Sequence, residues 1–398
     1  MLTKLKSLGP GLLYAGAAIG VSHLVQSTQA GARYGYVLIV AIVLAHIFKY
    51  PFFSLGPKYA SHTGTSLVSG YSKLGKWAVI VLLLLTVSTM FTVQAAVTIV
   101  TAGLVQKATG IDYSAVQISS VILIICFLIL QVGKINILDN LMKVIMIILS
   151  ISTVAAFFFS FDVEKDIIPS AQAVFDLRKE ADLGFLLAFV GWMPAPLDIA
   201  IWHSIWALSS KSHNSQFDFR VGFYGTAILG VCFLVLGANT MYGTGIEINA
   251  TAGGFASQLV DAFTASLGEW SYWFITIAAF TTMFSTTLTC FDAMPRVMQH
   301  IGAELSPKSR DSTAVWRFIL GVGSIVILFF FIQSMKQMVT LATTISFLTA
   351  PVLAFLSYRL VTRYHADSGI WTKSEKRLAL IGIVFLIVFS AQYIYHIS

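Results

Sequence analysis

The residues able to do chemistry in this sequence are few and fall in two clusters. One is Gly20-Val21-Ser22-His23, followed at helical spacing by Gln26, Ser27 and Ala30. The other is Met193-Pro194-Ala195-Pro196, with Asp198 two residues beyond Pro196 and His203 further along. Both lie inside apolar stretches, where a polar stripe must face a cavity or another helix rather than lipid. Two prolines two residues apart remove two amide donors and disfavour helix just before them, so the chain should break there. A broken helix leaves carbonyls at the end of its first half, which suit cations, and amides at the start of its second half, which suit anions. The chemistry expected is reversible binding of a small ion or solute. Nothing in the pattern calls for bond-making catalysis or a resident cofactor.

The elements that position these clusters follow from composition. The chain has 398 residues, 57% hydrophobic and 11% charged, with a mean hydropathy of +0.82. Soluble domains carry about 25% charged residues, so a water-soluble fold is excluded and an integral membrane protein is expected. The net charge of +7 needs no nucleic acid, because basic residues mark the cytoplasmic side of membrane proteins. Runs long enough to cross the hydrocarbon, about 20 residues, lie near 10–33, 36–57, 76–105, 115–132, 136–160, 182–209, 217–242, 269–298, 314–333, 337–362 and 376–396. That makes eleven spans in one all-α polytopic domain. The segment 253–268 is amphipathic and too short to cross, so it is expected at the outer surface.

With the N-terminus in the cytoplasm, 19 of the 25 Lys and Arg residues fall on the inner side, Lys49 counted among them. An odd span number then places the C-terminus outside. The apolar start runs into Ser22, His23 and Gln26 without a cleavage pattern, so it reads as a first span rather than a signal peptide. A multi-pass inner-membrane monomer among membrane lipids is the expectation. Cys126, Cys232 and Cys290 have no ligand spacing and read as small hydrophobes.

The interrupted spans are the first and sixth, five apart. Breaks at corresponding positions of two halves point to an inverted-repeat secondary transporter with its site near the midplane. The repeats would be 10–160 and 182–362, with 376–396 an extra helix.

Three stretches carry a family resemblance. GPGLLYAGAAIGVSHLVQSTQAGARYGY resembles the first helix of the Nramp metal-ion transporters, which opens on GPG and closes near FGY. ILDNLMKVIMIILSIST is similar to their fifth helix, and STTLTCFDAMPRVM to their eighth. The resemblance implies a LeuT-type fold of five plus five helices and alternating-access transport of a metal ion.

It also locates departures. Where the family has Asp-Pro-Gly-Asn in helix 1, the ungapped match places Gly20, Val21, Ser22 and His23. The carboxylate ligand is lost and His23 stands where Asn is expected. Where the family has Met-Pro-His-Asn in helix 6, Met193 and Pro194 remain and Ala195 and Pro196 replace the rest. His203-Ser204 follows three residues later than the family spacing. The third span has no Asp or Glu, which puts the family's usual proton route in doubt.

The resulting expectation is an Nramp-related transporter of a metal cation with an altered site. Its candidates are Gly20, Ser22, His23, Val190, Met193, Ala195 and Asp198, with His23 and Met193 as metal ligands. Gln26, Gln94, His203, Ser285 and Thr286 are candidates for supporting or coupling roles, since relatives of this fold hold Na⁺ with hydroxyls of the eighth helix. A His–Met pair suits a soft or monovalent ion better than Mg²⁺ or Ca²⁺. The alternative is a small organic solute, Na⁺-coupled or uncoupled, with H⁺ as the other coupling ion; Trp192, Trp202, Trp206 and Phe185 could cover it. Asp198 equally fits a helix-capping role after Pro196.

Overall fold

The computed structural model describes residues 10–132, 135–209, 215–306, 311–330 and 334–397. Among them there is no strand. Lys4, Lys6, Lys134, Lys211, Lys308 and Arg310, six of the bases used to infer orientation, lie outside the described residues.

The first span is interrupted as expected. Helix α1 (Pro10–Ala18) stops before Gly20, Val21–Ser27 winds as a π-helix, and α2 (Thr28–Tyr34) completes the crossing. The next elements are α3 (Ile39–Thr63), the short α4 (Leu67–Ser72), α5 (Lys76–Thr109), α6 (Ala115–Val132) and α7 (Ile135–Phe159). The sixth span is α8 (Glu180–Trp192) and α9 (Ile199–Ser209), its second half starting two residues after Leu197. Then come α10 (Ser215–Met241), α11 (Ala252–Leu267), α12 (Tyr272–Leu305), α13 (Thr313–Phe330), α14 (Met335–Tyr364) and α15 (Lys373–Ile397). Among the described residues, eight helices are long and apolar enough to cross a membrane. The two interrupted spans are too short in each half to meet that criterion, which is the direct consequence of being broken.

The packing has an internal symmetry. Helix α3, which follows the first span, packs on α9; α10, which follows the sixth, packs on α2. Helix α7 meets α1, and α14 meets α8. The equivalents α5 and α12 pack on one another. Each half thus wraps the broken helix of the other.

Small residues set these approaches. A Cβ on Gly31 would stand 1.8 Å from the Leu234 carbonyl oxygen, and one on Gly56 would stand 2.2 Å from that of Ala200. Only glycine lets the backbones meet so closely. Peripheral α6, α13 and α15 expose Val, Ile, Leu and Phe side chains such as Leu128, Phe329 and Val388, the surface a lipid-facing helix requires. Helix α11 is not a loosely attached surface element: Phe255, Leu259 and Phe263 are buried against neighbours that include α5 and α12. All three cysteines are free and buried.

Candidate substrate site

The break in the first span is shaped by its own hydroxyls. Gly20 N–H donates to the Ala18 carbonyl at 3.0 Å. The Ser22 hydroxyl lies 2.7 Å from that same carbonyl and 2.7 Å from His23 Nδ1, which is itself 3.0 Å from Ala18 O. Ser27 Oγ donates back to Ser22 O at 3.2 Å. Such side-chain bonds compete with the helical ladder and favour local unwinding. Gly20 itself is required by α12: a Cβ there would lie 2.8 Å from Thr286 Cγ2. Thr286 Oγ1 donates to Gly16 O at 2.9 Å, stapling the end of α1 to α12.

The other nitrogen of His23 reaches the opposite way. Nε2 is 3.0 Å from the Thr226 carbonyl of α10, as Nδ1 is from that of Ala18, so whichever nitrogen carries the proton has a backbone oxygen to donate to. The Ser22 hydroxyl can donate either to Ala18 O or to an unprotonated Nδ1. With the proton on Nδ1 and the Ser22 hydroxyl turned to Ala18 O, the Nε2 lone pair is left on the ring edge that faces Gly230.

Met193 sits behind the break rather than in front of it. The space a Cβ on Gly230 would fill is 3.4 Å from Met193 Sδ and 3.6 Å from the His23 ring. The expected pair therefore converges, beside α10, with no carboxylate nearby. Among the described residues no group of three or more His, Cys, Asp or Glu is placed to hold a metal.

Between the two breaks is a cavity of about 20 Å³, lined by Ala18, Val21 and Ser22, by Trp192, Pro196 and Trp202, and by Thr286 and Cys290. It has room for about one water and is mostly apolar. Trp192 Nε1 is buried there without a partner.

The carbonyl end of α8 does not stand open. Lys49, fully buried on α3, donates to Val190 O at 2.6 Å and to Gly191 O and Met193 O at 3.0 Å. The expectation that the Val190 carbonyl is free for cargo does not hold in this structure, and Lys49 is no marker of the cytoplasmic face. A charge in the middle of an apolar span was the signal for it.

The remaining candidates separate. Ala195 is buried and offers no polar side chain. Asp198 lines a second cavity of about 10 Å³ with Thr86, Thr89 and Ser346, and both its Oδ1 and the Ser346 hydroxyl lack partners. His203 stacks on Tyr14 at 5.7 Å, away from either cavity, and neither ring nitrogen is hydrogen-bonded. Gln94 Nε2 donates to Thr98 Oγ1 and Thr287 O, both at 3.2 Å, tying α5 to α12. Gln26 Oε1 and Ser285 Oγ are buried and unpartnered. On α12, Asp292 takes its i,i+4 neighbour Arg296 at 2.6 Å and also Arg317 of α13 at 2.7 Å.

Two interrupted helices wrapped by reciprocal halves around a central cavity define the class: a polytopic membrane transporter of LeuT-type fold. Residues 11–398 match the family described as Natural resistance-associated macrophage protein-like, and the chain belongs to that family of metal-ion transporters. It is 33% identical over 408 residues to an uncharacterized protein of Pasteurella multocida, covering 98% of this chain and 92% of that one. Its fold is similar to a manganese transporter of Eremococcus coleocola, with a TM-score of 0.75 at 13% identity over 96% of this chain and 85% of that one. It is also similar to MhsT in complex with L-phenylalanine, with a TM-score of 0.61 at 13% identity over 96% and 98% of the two chains.

Proposed function

We propose that this transporter works by alternating access and carries a soft, singly charged metal cation between the breaks of the first and sixth spans. The observation that carries this reading is the convergence of the His23 imidazole and Met193 thioether beside Gly230. Soft nitrogen and sulfur donors without a carboxylate favour a Cu(I)-like ion over a hard divalent one. A divalent cation there would keep its charge in a poorly solvated space, next to the Lys49 ammonium on the Met193 carbonyl. In this reading cargo takes the His23 Nε2 lone pair, on the ring edge that faces Met193, in the tautomer whose Nδ1–H donates to Ala18 O, and rocking of the broken spans against the other helices exposes the site alternately. The repeats would be residues 10–160 and 182–362, and the eleven spans would place the N-terminus inside and the C-terminus outside.

Asp198 belongs to coupling rather than cargo in this reading, because it lines the second cavity and its Oδ1 has no partner. A proton or Na⁺ would meet it there.

A second reading is favoured by one observation. Trp192 and Trp202 wall the central cavity and the Trp192 indole N–H is unused. A donor-only group cannot ligate a metal, but it can hold a carbonyl or carboxylate of a small organic solute.

Calorimetric titration of purified protein under reducing conditions with Ag⁺, Mn²⁺, Cd²⁺ and Mg²⁺ tests the choice. Binding of Ag⁺ that weakens in His23→Ala supports the metal reading. Binding of none of the ions, with heat instead from an organic solute that is lost in Trp192→Phe, overturns it in favour of the second.

A further inference from the structure

We propose that Lys49 is a tethered cation: its ammonium occupies the cation position that the break of the sixth span creates, so the chain closes that position itself. This inference concerns the carbonyl end of α8 and stands whichever cargo the transporter carries.

An ammonium has three N–H donors and no acceptor. All three are accounted for by Val190 O, Gly191 O and Met193 O at 2.6, 3.0 and 3.0 Å. These oxygens belong to the last residues of α8 and the residue that follows it, where a helix ends with its free carbonyls and the negative end of its dipole. Among the described residues no carboxylate stands within ion-pair distance of Lys49, so the carbonyl cluster is its counter-charge. A ring of carbonyl oxygens around one positive charge is the coordination a small free cation would receive. Here the ion is carried on a side chain.

The placement on α3 explains what the device does. Lys49 and Gly56 are seven residues apart, two helical turns, and so share a face of α3. Gly56 meets the Ala200 carbonyl of α9 so closely that a Cβ would lie 2.2 Å from it. One face of one continuous helix therefore holds both halves of the broken span, α9 by close backbone contact and α8 by the ammonium. Lys49 is a positioning residue that fixes the geometry of the break. It also keeps free cations from the carbonyls on which Val190 was expected to bind cargo.

The test is thermal unfolding of the purified full chain in detergent at constant ionic strength, with choline, Na⁺, K⁺ or methylammonium as the cation. Wild type should have the same Tm in all four. Lys49→Ala should unfold at lower temperature in choline and recover much of the loss in methylammonium or Na⁺, which can enter the vacated space. Lys49→Met fills the space without charge, so it should lose Tm and recover it in none. Lys49→Arg should stay closer to wild type than Lys49→Met, and this comparison stands even where the alanine variant does not accumulate. A Lys49→Met protein as stable as wild type, or Lys49→Arg no better than Lys49→Met, would overturn the proposal. So would a Lys49→Ala protein whose Tm ignores every cation.

Discussion

His23 Nε2 lies 3.0 Å from the Thr226 carbonyl oxygen, joining the break of the first span to the middle of α10. The contact sets the orientation of the ring, and Nδ1, 3.0 Å from Ala18 O, carries the proton when Nε2 takes cargo. Replacing His23 by Gln keeps a donor toward Thr226 and removes the imidazole lone pair. His23→Gln should therefore retain its fold, with Tm close to that of wild type, and lose cargo binding at least tenfold. A loss of fold with unchanged binding would show that the ring only packs.

Gly20 is held against Thr286 so closely that any side chain must displace the Thr286 side chain. Gly20→Ala should destabilise the protein by about 1–3 kcal/mol, the usual cost of overpacking, and slow transport. Adding Thr286→Ala should restore part of the loss. Two independent, additive losses in thermal unfolding would contradict the contact.

Asp198 Oδ1 and Ser346 Oγ share a cavity without partners. A buried carboxylate oxygen left without a partner costs stability, so Asp198→Asn should raise stability by roughly 1 kcal/mol while removing the dependence of flux on a proton or Na⁺ gradient. A fall in Tm with coupling intact would assign Asp198 to capping α9 instead.

Asp292 is shared by Arg296 and Arg317, and the Arg317 side chain is mostly enclosed. Asp292→Ala strands that guanidinium and should cost about 3 kcal/mol. Arg296→Ala removes the more exposed partner and should cost less than about 1 kcal/mol. Thermal unfolding of the two variants separates them, and equal losses would contradict the ranking.

Asp311 accepts the Thr313 N–H at 2.9 Å and its hydroxyl at 2.7 Å, which hold its carboxyl below the ordinary 3.8. A lowered pKa means the unfolded chain binds the proton more readily, so this turn stabilises α13 above the ordinary carboxyl pKa and stops doing so as pH falls through the lowered value. Asp311→Asn should therefore cost roughly 0.5 kcal/mol at pH 7 and nothing near pH 2. A cost that persists in acid would locate the effect elsewhere.

Much of this architecture was legible in the sequence because membrane burial leaves a simple code. Apolar runs gave the spans, Pro194 and Pro196 gave one break, and Gly20 with Ser22 and His23 gave the other. Their separation by five spans gave the repeat. Side-chain direction was not legible. Met193 and His23 do meet, but behind the break, because α10 carries Gly230 and the Thr226 carbonyl there; nothing within either motif encodes that neighbour. Asp198 is two residues from Pro196 in sequence, yet α9 starts at Ile199 and turns the carboxylate to a different cavity. His203 has no counterpart site because its face of α9 meets Tyr14 and Phe219. Lys49 was visible as a charge in an apolar run, but its role depends on a contact 141 residues away.

The central claim is that cargo is a soft, singly charged metal bound by His23 and Met193. Ag⁺ uptake into liposomes carrying purified protein, with a trapped thiol to report entry, tests it most directly. Wild type should accumulate Ag⁺ well above empty liposomes, and the His23→Gln, Met193→Leu double variant should fall to the empty level. Saturable Mn²⁺ uptake with no Ag⁺ entry, or Ag⁺ entry unchanged in the double variant, would contradict the account.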